Sequence, residues 1–188
     1  MNSRMRLTRP RLLIAGVLAA AATALPLAAA AQAEPVEPAV PPEIAVPEGN
    51  KLFLVGHAVG VQIYTCNATP AGYAWGFAGP RAELYGDNGH LIATHFAGPT
   101  WLAVDGSKAV GSLVRPAPVD PTAIQWLLLA ASGSSGPDGD RLAQATFIQR
   151  IATTGGLMPP AGACNASTAG TTNEVPYTAD YYFWKGSR

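Results

Sequence analysis

The chain has 188 residues, 48% of them hydrophobic, with 12 basic and 12 acidic side chains. Beyond the first eleven residues no basic run is present to neutralise phosphates, which makes nucleic acid and anionic lipid surfaces poor partners. The length suits one ordinary domain with a real core, preceded by a short processing segment.

Arg4, Arg6, Arg9 and Arg11 make a positive N-terminal region, and an apolar run from Leu12 to Ala31 follows, broken only by Gly16, Thr23 and Pro26. Ala31-Gln32-Ala33 then offers a small-x-small cleavage site ahead of Glu34. This is the build of a secretory signal peptide over residues 1–33. About 20 apolar residues also suffice for an uncleaved membrane anchor. The alanine content, Pro26 and the well-placed cleavage site favour removal instead. No cysteine stands near that site to carry a lipid, no Arg-Arg pair marks a twin-arginine route, and no later segment is apolar enough to span a bilayer. Removal takes four of the 12 basic residues and no acid, leaving 8 against 12, a net charge of −4. The expected location is extracytoplasmic, secreted or in the cell envelope.

Residues 34–48, EPVEPAVPPEIAVPE, hold five prolines in fifteen positions. Such a stretch is denied a helix and favours an extended, solvated chain, so it is expected to be a tether outside the core. Residues 49–188 form the domain proper.

That domain reads as β nearly throughout. LFLVGHA (52–58) and VGVQIYTC (59–66) are rich in β-branched and aromatic residues, with Val59, Val61 and Ile63 on one face of the second. YAWGFAG and AELYG follow, and Asp87-Asn88-Gly89 before HLIATHF is a hairpin signal. In THFAGPTWLAVDGSKAVG (94–111), His95, Asp105 and Ser107 are the parts list of a hydrolase. The stretch reads better as strands over 100–104 and 108–114 joined at Asp105-Gly106, with Asp105 capping its own backbone and glycine supplying the left-handed conformation. A nucleophilic serine of the α/β type needs Gly-x-Ser-x-Gly between strand and helix, which neither GSKAVG nor GSSG (133–136) provides. AIQWLLLAA (123–131) is a strand buried on both faces or a short helix, SGSSGPDGD (132–140) a loop, LAQATFIQRIATT (142–154) a strand or helix whose Thr-Phe-Ile and Ile-Ala-Thr-Thr content favours strand, and VPYTADYYFWK (175–185) an aromatic closing strand. Strands do not alternate with amphipathic helices, so the fold class is all-β: a single-domain antiparallel β-sandwich or closed β-barrel with short hairpins.

The domain holds two cysteines, Cys66 in CNATPAG and Cys164 in CNASTAG. In an oxidising compartment, a lone distant pair is most simply a disulfide. Neither has the nearby second cysteine of a metal or redox site. The two phrases do not extend into a longer repeat. Both also match the glycosylation sequon at Asn67 and Asn165, which matters only in a host that glycosylates such sites.

GVQIYTC (60–66), GPTWLAVDGS (98–107), IQWLLLAA (124–131), FIQRIATTGG (147–156) and VPYTADYYFW (175–184), taken in this order, resemble the family catalogued as domain of unknown function 3455, exported proteins of bacteria and fungi. The resemblance covers roughly residues 47–185. It implies a signal peptide and one β-rich domain, and it brings no catalytic residue. Leu102 departs from it, standing after GPTW where the family pattern is expected to carry an acid.

Five polar residues stand inside apolar strands: Gln62, Gln125, Gln149, Arg150 and Asp180. A buried charge without a partner costs several kcal/mol, so an Arg150–Asp180 ion pair is the favoured arrangement. The functional alternative is a polar pocket floor, with Arg150 receiving an anionic or hydroxylated ligand between His95, Trp101 and Tyr182. Candidate ligand-binding residues are therefore His95, Trp101, Arg150, Asp180 and Tyr182. Trp75, Trp101, Trp126 and Trp184 read as core before sugar platforms. His90 and His95, five apart on a strand, point to opposite faces; His57 with His95 across strands is the remaining metal pairing. Asp138-Gly139-Asp140 lacks the six or more oxygens of a calcium site. No dinucleotide or phosphate-loop motif is present, and no cofactor is implied. The leading reading is a non-catalytic exported module, binding or structural, that meets a small molecule, glycan or envelope component. Behind it stand a small secreted hydrolase or lyase using Arg150, His95 and Asp180, and a metal-binding protein.

Overall fold

The computed structural model describes residues 35–136 and 141–187, so the expected signal segment and Asp138-Gly139-Asp140 lie outside it. Eight strands follow one another: β1 (Asn50–Thr69), β2 (Gly72–Tyr85), β3 (Leu91–Phe96), β4 (Thr100–Ala103), β5 (Lys108–Ala117), β6 (Trp126–Ser135), β7 (Phe147–Gly155) and β8 (Thr172–Gly186). Each pairs antiparallel with the next, and β8 returns to β1 from Asn50↔Gly186 to Thr65↔Thr172, closing the sheet into an irregular barrel. Of the two expected architectures it is the barrel. Among the described residues no helix is long and apolar enough to cross a membrane.

Side chains alternate across the barrel wall because successive residues of a strand point to opposite faces. Trp101, Tyr181, Phe183, Leu84 and Ile148 fill the interior beside a set of alanines: Ala58, Ala82, Ala93, Ala109 and Ala179. Small against large is how an eight-stranded barrel fills a lumen just wide enough for side chains or one small ligand. The stretches 52–58 and 59–66, read separately from sequence, are one continuous strand, and so are YAWGFAG and AELYG. Gly60, which looks like a break, is a close approach: a Cβ there would lie 2.3 Å from the Arg81 carbonyl oxygen.

The turns at the two ends have different jobs. At one end Asp105 Oδ1 accepts from the Ser107 backbone N–H (2.9 Å) and hydroxyl (2.6 Å), and Ser107 Oγ accepts from the Leu142 N–H at 2.9 Å. Turn chemistry thus extends to a latch on the β6–β7 connection. At the other end Cys66 and Cys164 form the expected disulfide, with Cα atoms 5.3 Å apart, tying the end of β1 to the β7–β8 loop.

The proline-rich stretch is not a tether along its whole length. Pro42–Ile44 makes a single 3₁₀ turn, and Ile44 is fully buried against Ala117, Leu128 and Ile151 on the outer wall, with Val40 and Val46 beside it. Gln149 locks it down, donating to the Ile44 carbonyl at 2.7 Å and accepting from Trp184 Nε1 at 2.9 Å. Prolines remove the helix option, but they leave isolated apolar side chains free to dock.

A candidate ligand cavity

The barrel interior is not filled at the disulfide end. A cavity of about 330 Å³ opens there between the start of β2, the β3–β4 turn and the ends of β5, β6 and β7. Its walls are Phe77, Pro80, Leu113, Leu127 and Leu129, and its polar contributions come from His95, Trp101, Arg150 and Tyr181. A register shift between Ile63 and Tyr64 leaves Ala78 unpaired as a bulge, and the start of β2 stays paired to β1 while its pairing with β3 begins only at Arg81. Gly79, at φ +136°, takes a conformation that L side chains rarely adopt, and a Cβ there would sit 2.6 Å from the Ala97 Cβ.

His95 is stacked on Trp101 with ring centroids 4.3 Å apart, and Tyr181 meets both edge-on at 5.1 and 5.3 Å. The His95 Nδ1 lies 2.9 Å from the Thr100 carbonyl oxygen. A carbonyl only accepts, so Nδ1 holds the proton and Nε2 is left as an acceptor. Burial drives the His95 pKa down to about 3, with the Thr100 bond opposing and the Arg150 charge adding to the fall. The imidazole is neutral at every ordinary pH. Burial pushes the hydroxyls of Tyr181, Tyr177 and Tyr64 up, while the Arg150 charge draws each of them back. Arg150 itself donates through Nε (3.2 Å) and Nη2 (2.8 Å) to the Gln125 carbonyl.

Of the five candidate residues, the fold brings His95, Trp101 and Arg150 to one cavity and sends Asp180 and Tyr182 to the outer wall. The Arg150–Asp180 ion pair does not form. Asp180 accepts from His57 Nδ1 at 2.7 Å, while His57 Nε2 reaches Asp87 at 2.9 Å. The physical reason is parity. Ala179, Tyr181 and Phe183 face the core, so Asp180 and Tyr182 must face away, and the wall expected of Tyr182 is supplied by Tyr181. The same parity separates His57 from His95, and His90 is exposed in the turn before β3. Among the described residues no group of three or more His, Cys, Asp or Glu is placed to hold a metal ion. His95, Asp105 and Ser107 form no triad, because Asp105 and Ser107 are committed to the turn at the opposite end. Trp75, Trp101 and Trp184 are buried, as expected of core tryptophans, and Leu102 is partly exposed on the outside.

The apolar half of the cavity escaped sequence reading. Leu113, Leu127 and Leu129 look like any core leucine, and only the closure of the barrel leaves space in front of them. Residues 47–185 match a family model described as Protein of unknown function (DUF3455). No curated protein and no solved structure matches the chain.

Proposed function

We propose that this chain, which belongs to the DUF3455 family of proteins of unknown function, is an exported, non-catalytic barrel that holds one small, largely apolar ligand in its lumen. The observation that carries this reading is the cavity of about 330 Å³ with preformed aromatic and aliphatic walls and few polar groups. Small-molecule sites have this build: roughly 300–1,000 Å³, mostly apolar, with a few fixed polar anchors. Among the described residues no serine, cysteine or carboxylate lines it, and the hydrolase trio is divided by the barrel wall at Asp180. A neutral, proton-excluding His95 suits an anchor better than a general base at neutral pH. Export is supported by the Cys66–Cys164 disulfide, which persists in oxidising compartments.

Calorimetric titration of the mature domain with 2-naphthamide, a neutral aromatic probe, tests the reading. Binding is expected, with at least a tenfold loss in Leu127→Trp, which fills the lumen. No binding to the unaltered domain, or equal binding to Leu127→Trp, overturns it. N-terminal sequencing of the protein recovered from its host is expected to begin at Glu34; a retained Met1 refutes cleavage at that site.

A further inference from the structure

We infer that the occupant of the lumen carries an acid group, a carboxylate or similar oxyanion, that seats on Arg150 while its apolar body lies along Leu127, Leu129 and Trp101. The inference rests on the binding reading above and adds the chemical class.

Arg150 is a cation without a counter-charge. Among the described residues no carboxylate lies within salt-bridge distance of it, and Asp180, the obvious partner in sequence, is spent on His57 outside the wall. Two of its five N–H groups go to the Gln125 carbonyl and it also hydrogen-bonds the Tyr181 hydroxyl, so its partners among the described residues are neutral oxygens only. The charge is felt inside the barrel, because Tyr64, Tyr177, Tyr181 and His95 are all shifted by it. Arg150 is half-buried beside these apolar walls, and a planar oxyanion matches its fork with two parallel hydrogen bonds.

Trp101 supplies the second, independent observation. Its Nε1 is a buried donor with no acceptor. Buried donors are ordinarily paired, and this unpaired one belongs to a side chain that is part of the cavity wall. An imbalance of donors over acceptors selects an acceptor-rich ligand. A sugar, which brings as many donors as acceptors, fits less well. His95 Nε2 is the acceptor available in the same lumen, so a hydroxyl elsewhere on the acid is tolerated.

The test compares 2-naphthoate with its neutral near-isostere 2-naphthamide by calorimetry at pH 7. The domain is expected to bind the acid at least tenfold more tightly than the amide. Arg150→Met is expected to bring the two to parity, with amide binding retained as proof that the lumen is intact, and Arg150→Lys to restore part of the preference. Equal affinities on the unaltered domain sink the acid inference and leave the binding reading standing. Binding of neither probe sinks the binding reading itself. If Arg150→Met fails to fold, the acid-to-amide ratio on the unaltered domain still decides.

Discussion

Nδ1 of His95 is tied to a backbone carbonyl and its ring is packed between Trp101 and Tyr181, so the folded protein refuses a proton that the unfolded chain accepts. The folded pKa near 3 lies below the ordinary 6.5, which fixes the sign: stability is full above pH 6.5 and falls as pH drops from there toward 3. At roughly 1.4 kcal/mol per pH unit, about 2–3 kcal/mol is lost by pH 4.5. His57 has the opposite sign. Its pKa is raised by Asp87 and Asp180, so its contribution is full below 6.5 and fades as pH rises through the raised value. Asp105 and Asp120, whose pKa values are lowered by hydrogen bonds, lose their contributions only below the usual carboxylate range. The window from 4.5 to 6.5 therefore belongs to His95. Thermal melts across it should fall with acid, and His95→Phe, which keeps the stack, should flatten the slope. An unchanged slope would show that His95 takes up its proton without unfolding. Sequence placed His95 and Arg150 on strands, yet their shared lumen is a consequence of pairing partners four strands apart.

The short segment 40–46 shows how composition misleads at the scale of elements. The five prolines of residues 34–48 predict solvent, and one isoleucine decides otherwise, because the outer wall of β5 to β7 offers an apolar seat for Ile44. Gln149 was singled out in sequence as a polar residue in an apolar run. Its function is to satisfy the Ile44 carbonyl and the Trp184 indole at once. Gln149→Leu leaves both unpaired in a buried place, each at about 1–3 kcal/mol. A loss of roughly 2–4 kcal/mol is expected in denaturant unfolding, together with protease sensitivity near residue 44. A loss under 1 kcal/mol would mean that the segment is held by other contacts. The strands themselves were legible through their β-branched content and their Asn-Gly and Asp-Gly turns. Their lengths were not, because a glycine at a close approach reads locally like a glycine at a break, as at Gly60.

Closure is a property of the whole molecule. β1 pairs with β8 across nearly the full domain, and the disulfide joins residues 98 apart at the lumen end. A loop of that size restrains the unfolded chain by up to about 4–5 kcal/mol on the chain-entropy model. Replacing Cys66 and Cys164 together by alanine is expected to lower the melting temperature strongly. An unaltered melting temperature would show that the strand pairing alone holds the barrel. One β-rich domain and the Cys66–Cys164 pair followed from sequence by itself, because turn residues and cysteine counts act locally or through composition. Sandwich against barrel, Tyr181 in place of Tyr182, and the space before Leu127 and Leu129 were decided only by tertiary structure. Those features depend on which strand meets which across more than a hundred residues, and no local pattern encodes that meeting.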